Sequence, residues 1–208
     1  VVVGFAMYAM SLVIPQLLQL PTATGFGLGQ SMVAAGLWLA PGGIVMILVS
    51  PLSARLSAAR GPKASLLVGA AVISVGYWLG LVMMDAPWKV CIVGILIALG
   101  IALAYAAMPA LIMSAVPVSE TAAANGLNSL MRSIGTSLSS AVIGVVLAHM
   151  TTSFGAGTVP SLAGFRTVFV IGGVAALVAL LVGLLIPGRR TLQPAAARDT
   201  PAVAVSSA

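Results

Sequence analysis

Six apolar runs, each long enough to cross a lipid bilayer, limit the folds open to this chain more than any other feature. A membrane-spanning helix needs about 20 residues at ~1.5 Å rise per residue. The chain has 208 residues, of which 61% are hydrophobic, so lipid must cover most of its surface. The sequence therefore predicts an all-α integral membrane protein with six transmembrane helices. The runs cover approximately residues 1–20, 29–49, 64–84, 88–116, 119–150 and 166–186.

The apolar runs also divide the chain into two parts. Residues 1–190 are predicted to form one six-helix bundle, and residues 191–208, rich in Ala, Pro and Ser, a disordered cytoplasmic tail. The chain opens on Val1, already in apolar sequence, and we interpret it as a fragment of a longer protein.

Basic residues are concentrated on one predicted side of the membrane. The segment Ser50–Lys63 is predicted as a short polar link, and it carries Arg55, Arg60 and Lys63. Because basic residues favour the cytoplasmic side, this link is predicted to be cytoplasmic, with both chain ends in the cytoplasm of a multi-pass protein of the cell membrane. The positive charges lie at the ends of apolar runs, which favours a role in orientation over nucleic-acid binding.

The six runs resemble two sets of three. Runs one and four each contain a proline towards the C-terminal end, Pro15 and Pro109, and a tyrosine, Tyr8 and Tyr105. An odd number of crossings inverts direction, so two three-helix units would be related as inverted repeats, a common plan in transporters. This arrangement is a hypothesis that the structure can test.

The fifth run has a polar face, formed by residues at three- and four-residue spacing that include Asn128 and Arg132. A charge inside a membrane span is costly and usually faces a cavity or a partner group. Arg132 either extends to the cytoplasmic interface or faces such a cavity, and the sequence leaves both alternatives open.

A second group of candidate residues lies on runs one and four: Tyr8, Gln16, Tyr105 and Met108. Together they are typical of an adaptable apolar pocket for a small hydrophobic substrate. Taken singly, each is better explained by ordinary helix packing. We predict a substrate cavity from their joint occurrence on the two proline-containing runs, together with Asn128 and Arg132.

No acidic residue lies in the interior of any run: Asp85 and Asp199 fall outside the six runs, and Glu120 lies in the first turn of the fifth, at the membrane interface. A proton-coupled cycle needs an embedded group that gains and loses a proton, and these runs do not supply a carboxylate. Catalysis is also disfavoured, because Ser137 and His149 lie about 18 Å apart on one helix and cannot form a catalytic pair. The sequence predicts neither an enzyme nor a metal or cofactor site.

Several segments resemble the major facilitator superfamily. The run SPLSARLSAARGPKASLL resembles the short cytoplasmic loop of those transporters, although Ala58 stands where an acidic residue is usual and Ala59 where a basic one is. The run AAANGLNSLMRSIGTSLSSAVIG is similar to the penultimate span of the fourteen-helix drug/proton antiporter branch. The resemblance covers about residues 1–190, which would be the C-terminal half of such a protein.

The resemblance implies a function as well as a fold. It implies a secondary active transporter that couples proton entry to the efflux of hydrophobic or cationic drugs or secondary metabolites by alternating access. Spans one and four would line the central cavity, two and five would meet the N-terminal half of the same transporter, and three and six would face lipid. Arg55, Arg60 and Lys63 would form a cytoplasmic gating or anchoring loop. The alternative is a non-transporting membrane scaffold or receptor-like bundle of the same fold.

Overall fold

The computed structural model describes residues 1–155 and 157–185. All six main helices in this part of the chain are long and apolar enough to cross a membrane, which confirms the predicted all-α membrane fold. The predicted tail, residues 191–208, lies outside the described residues. The helices are α1 (Val2–Gln19), α2 (Met32–Arg60), α3 (Pro62–Gly80), α4 (Pro87–Ala115), α5 (Thr121–His149) and α6 (Leu162–Leu185).

The packing of the helices follows the pattern expected of two inverted three-helix units. The first unit is α1–α3 and the second is α4–α6. Helix α2 packs chiefly against α4 of the second unit, and α5 packs chiefly against α1 of the first. Likewise α3 packs against α4, and α6 against α1, while α3 and α6 also contact each other. Exchanging α1–α3 with α4–α6 therefore turns the α2–α4 contact into α5–α1 and the α3–α4 contact into α6–α1, and leaves the α3–α6 contact unchanged, as a two-fold relation requires.

The prediction of a loop at Ser50–Lys63 is wrong. Helix α2 continues to Arg60, with Pro51 inside it, and Gly61 alone separates α2 from α3. The segment is rich in Ala, Leu and Arg, which are strong helix formers. Its basic residues therefore suggested a polar loop, although its helix propensity favours a continued helix. Gly61 has a φ of 85°, a conformation open to glycine, and Pro62 begins the next helix. We call the membrane face at Gly61 the turn face.

Buried serines fix this turn to the bundle. Ser53 of α2 and Ser65 of α3 are both fully buried, and their hydroxyl oxygens lie 2.9 Å apart. The Ser65 hydroxyl donates to the backbone carbonyl of Leu103 in α4 at 3.1 Å. Hydroxyl groups that bond across helices are a recurrent source of stability within membranes. This cluster therefore holds the end of α2 and the start of α3 against α4.

The opposite membrane face carries a small β-hairpin in the Gly-, Ser- and Thr-rich segment that links α5 to α6. Its strands are β1 (Thr151–Phe154) and β2 (Gly157–Pro160), which pair antiparallel from Thr151 opposite Pro160 to Phe154 opposite Gly157. Strands of four residues are too short to give a reliable alternating pattern. We call this the hairpin face.

The centre of the bundle is closed by contacts between α1, α3 and α6. The Tyr77 hydroxyl of α3 donates to the backbone carbonyl of Ala6 in α1 at 2.6 Å, and the ring packs edge-on against Phe169 of α6 with centroids 6.0 Å apart. The tyrosine ring also lies against Gly172, where a larger residue would collide with it. This packing leaves one side of α1 exposed, and that side carries the candidate site.

Candidate functional site

Three helices converge at an exposed cluster formed by Met7 of α1, Tyr105 of α4 and Arg132 of α5. The guanidinium carbon of Arg132 lies 5.5 Å from the centroid of the Tyr105 ring, within the range of a cation–π contact. The Tyr105 hydroxyl lies 3.5 Å from the sulfur of Met7. Tyr105 and Arg132 were predicted as cavity residues on two different apolar runs. The fold brings them into direct contact.

Close packing between α1 and α5 sets the position of Arg132. A Cβ atom on Gly4 would lie 2.5 Å from the backbone carbonyl oxygen of Arg132, so the two backbones meet at a residue without a side chain. At the next residue of α1, the Phe5 carbonyl accepts a hydrogen bond of 3.0 Å from the buried Ser139 hydroxyl. The glycine and the serine hold the two helices together, which aims the Arg132 side chain towards α4.

Arg132 lies well inside its helix. It is 11 residues past Thr121, the first residue of α5, which corresponds to about 16 Å of helix. Its Nη2 atom donates to the Ser129 hydroxyl at 3.3 Å, so the side chain bends back towards the start of α5 while its guanidinium packs on Tyr105. The contact with the ring places this charge on the side of α5 that faces α4.

The charge of Arg132 has no carboxylate counterpart among the described residues. Glu120 precedes α5, and Asp85 lies in the α3–α4 loop, where its carboxylate pairs with Lys89 at 2.6 Å. The hydrogen bond from Lys89 lowers the pKa of Asp85, so this acid stays ionised and engaged at the membrane face. A buried or lipid-exposed arginine without an anion is costly. Arg132 therefore needs water, an anionic ligand or an acid from another segment.

The other predicted cavity residues lie at varying distances from this cluster. Tyr8 and Met108 are half-buried neighbours of Met7 and Tyr105 along their helices, and Asn128 is half-buried one turn before Arg132. Gln16 is exposed, but it lies nine residues beyond Met7, about 14 Å along α1. The structure therefore places Gln16 apart from the cluster.

Ser11 is an exposed residue of this surface that the sequence reasoning missed. Its hydroxyl donates to the backbone carbonyl of Met7 at 2.9 Å, one turn earlier in α1. Ser11 and Met7 are four residues apart and so share a face of the helix, a spacing that could have identified Ser11.

The predicted gating or anchoring residues lie at the turn face. Arg55 and Arg60 are exposed on the last turns of α2. Lys63 is the second residue of α3 and donates to the backbone carbonyl of Leu184, near the end of α6, at 3.0 Å. A cation at the C-terminal end of a helix is favoured by the exposed carbonyl groups there. Lys63 thus connects α3 to the end of α6.

Comparison with known proteins places the chain among transporters. Residues 1–207 match the family described as Major Facilitator Superfamily. Two curated relatives, both named Multidrug resistance protein Stp, come from Mycobacterium tuberculosis strains CDC 1551 / Oshkosh and ATCC 25618 / H37Rv. Each is 30% identical over 147 residues, which cover 70% of this chain and 26% of the relative. The chain thus matches about a quarter of the length of these relatives.

The chain has six helices that can span a membrane, and they pack as two related three-helix units. Residues 1–207 match the family of transporters named above. The chain belongs to the major facilitator superfamily, a family of transporters, and is a multi-pass membrane protein.

Proposed function

We propose that this chain forms the C-terminal six-helix half of a secondary active transporter that exports hydrophobic or cationic small molecules by alternating access, driven by proton entry. The observation that carries the proposal is the exposed cluster of Arg132, Tyr105 and Met7 inside a membrane bundle. An aromatic ring and a flexible thioether suit apolar ligands of varied shape. The name of the curated relatives, a multidrug resistance protein, agrees with this substrate class.

The partner bundle in this proposal is the N-terminal half of the same transporter. Helices α2 and α5 flank α4 and α1 and leave much of their apolar surface exposed, with Leu37 at 70%, Ile47 at 75% and Leu127 at 57% exposure. Exposed Ser129, Ser133 and Ser137 follow one another by four residues on α5, and small side chains let helices approach closely. A second bundle seated on α2 and α5 would enclose the exposed side of α1 and α4.

Proton coupling in this proposal depends on an acid in the partner half. Helices α1–α6 contain no Asp or Glu, while Arg132 supplies a positive charge about 16 Å into α5. An ionised carboxylate facing Arg132 would hold the two halves together by charge attraction. Protonation of that carboxylate would remove the attraction and allow the halves to rearrange.

The proposed orientation puts the turn face in the cytoplasm of the cell. Arg55, Arg60 and Lys63 all lie at that face, and basic residues near span ends favour the cytoplasmic side. The start of α1 and the end of α6 then point towards the cytoplasm, and the β-hairpin lies outside. Lys63, bonded to the end of α6, would anchor this side of the bundle during the transport cycle.

A transport assay on the full-length protein tests the proposal. The protein is reconstituted in liposomes, and the movement of a lipophilic cationic dye is followed by fluorescence with and without an imposed pH gradient. We expect dye movement that requires the gradient and stops when a protonophore collapses it. Absence of movement under both conditions, with the protein shown to be folded, would favour the scaffold or receptor-like alternative. Dye movement that does not depend on the gradient would contradict the proton coupling but would still support a transporter.

A further inference from the structure

A long apolar groove runs between α3 and α6 on the surface away from the Arg132 cluster. It has a volume of about 500 Å³ and is lined by residues that include Val75, Trp78, Val82 and Leu177. Ser74, which also lines it, turns its hydroxyl onto the Gly173 carbonyl at 3.4 Å, so that group is already engaged. The groove therefore offers hydrocarbon surface to its occupant.

The length of this groove matches one leaflet of a bilayer. Along α3 and the turn after it, the groove extends from Ala71 to Val82, about 16 Å at ~1.5 Å per residue. The hydrocarbon core of a bilayer is about 30 Å thick, so this distance is roughly half of it. Ala71 lies near the middle of α3, and Val82 lies just beyond its end at the hairpin face. A single acyl chain from the leaflet at that face would fill the groove along its length.

A second cavity opens at the hairpin-face end of the groove and shares Val82 with it. This cavity, of about 300 Å³, is lined by the α1–α2 loop from Gly25 to Leu28, by Met84 and Asp85, and by Arg166 of α6. The loop is held in place by Phe26, which packs edge-on against the buried Phe165 with centroids 6.3 Å apart. The groove and this cavity therefore adjoin at Val82, with apolar lining in the groove and polar groups in the cavity.

The charge at the mouth is positive. Asp85 is paired with Lys89 at 2.6 and 2.9 Å through its two carboxylate oxygens, so its charge is already compensated. Arg166 lies exposed in the first turns of α6. A guanidinium group at the membrane interface is suited to a phosphate, which it binds through charge-assisted hydrogen bonds.

We propose that this surface binds one phospholipid of the leaflet at the hairpin face, with its phosphate at Arg166 and an acyl chain in the groove between α3 and α6. The positive mouth selects anionic headgroups over zwitterionic ones. The site is separate from the Arg132 cluster, so its existence does not depend on the proposed transport function.

Trp78 provides a probe for the acyl chain, because phospholipids with brominated chains quench tryptophan fluorescence on contact. The full-length protein, with Trp78 as its sole tryptophan, is placed in phosphatidylcholine vesicles. A minor fraction of either brominated phosphatidylglycerol or brominated phosphatidylcholine is then added. We expect the anionic lipid to quench more strongly than an equal fraction of the zwitterionic one. Arg166→Gln is expected to reduce the apparent affinity for the anionic lipid about tenfold, the effect of one charge-assisted hydrogen bond.

Two further variants make the outcome decisive. Arg55→Gln removes an exposed basic residue at the turn face and is expected to leave the preference for the anionic lipid unchanged. Ala71→Leu occupies the deep end of the groove and is expected to weaken quenching by both lipids. Equal quenching by both lipids, unchanged by Arg166→Gln, would overturn the proposal in favour of contact with bulk lipid only. Protection of Trp78 from both lipids, with Val75→Cys cross-linking two copies, would overturn it in favour of a dimer interface.

Discussion

Replacing Arg132 with alanine is expected to reduce transport by the full-length protein at least tenfold, while the amount of folded protein changes little. The side chain is exposed, and its contacts are the Tyr105 ring and the Ser129 hydroxyl, so few packing interactions are lost. When the proposed N-terminal half encloses the cluster, the desolvated cation–π contact contributes about 2 kcal/mol, more than the roughly 1.4 kcal/mol that corresponds to a tenfold change in rate. The measurement compares initial transport rates normalised to protein that elutes as a single folded species.

Two control variants separate the charge from the shape of this site. Arg132→Lys keeps the positive charge and is expected to retain a measurable part of the activity, although its ammonium group lacks the planar guanidinium that stacks on a ring. Tyr105→Phe keeps the ring and loses the hydroxyl that lies 3.5 Å from the Met7 sulfur, and it is expected to transport nearly normally. Parallel loss of transport and of folded protein in Arg132→Ala would show that Arg132 is structural.

Replacing Gly69 with alanine is expected to destabilise the bundle strongly. Gly69 of α3 faces Gly100 of α4, and a Cβ on Gly69 would lie 2.7 Å from the Gly100 carbonyl oxygen and 2.8 Å from the Ala104 backbone nitrogen. Backbone atoms cannot rotate away as a side chain can, so α3 and α4 would have to separate. Overpacking of this kind costs typically 1–3 kcal/mol. The measurement is the denaturant midpoint in detergent, with the yield of folded protein as a second readout.

The matched control for this prediction is Gly144→Ala. Gly144 also lies inside a helix, α5, but a Cβ there would meet no heavy atom within 4 Å. Because alanine favours a helix over glycine by roughly 1 kcal/mol, this variant is expected to be at least as stable as the parent. Equal midpoints for the two variants would contradict the close contact of α3 and α4 at Gly69.

The cluster at Arg132 lies between two parts of the bundle that are packed differently. On one side, α1 and α5 are joined closely by the Gly4 contact and by the Ser139 hydrogen bond. On the other, the contact from Arg132 to Tyr105 reaches across to α4 through a flexible side chain. We expect a shift of α1 and α5 against α4 to make or break that contact while leaving the α1–α5 contact unchanged.

The sequence predicted the six spans well because the hydrophobic runs are long and almost uncharged. It failed at the end of α2, where Arg55 and Arg60 suggested a loop although the surrounding residues favour a helix. The bonds of Ser53 and Ser65 to Leu103 join residues up to 50 positions apart, and no local pattern encodes such a contact. The β-hairpin was missed because its strands have only four residues each.

Two of the three residues in the exposed cluster were singled out in the sequence, but their contact was not. Arg132 and Tyr105 each stood out in the sequence, one as a charge in a span and the other as a tyrosine on a proline-containing run. Their contact depends on the close approach of α1 and α5 at Gly4, a residue that the polar pattern did not mark. Gln16 was predicted for the same cavity, but it lies nine residues beyond Met7 on α1. The helical rise therefore separates it from the cluster by about 14 Å.

In the proposed transporter, the exposed side of α1 near Arg132 lines a water-accessible substrate path. The most direct test is the reaction of Ser11→Cys, in a full-length protein without other cysteines, with a water-soluble thiol reagent. Val75→Cys, exposed at 58% in the groove between α3 and α6, serves as the lipid-facing control. We expect Ser11→Cys to react rapidly, substrate to slow that reaction, and Val75→Cys to stay unmodified. If Ser11→Cys reacts no faster than Val75→Cys, or if substrate has no effect on its rate, the exposed side of α1 does not line the path.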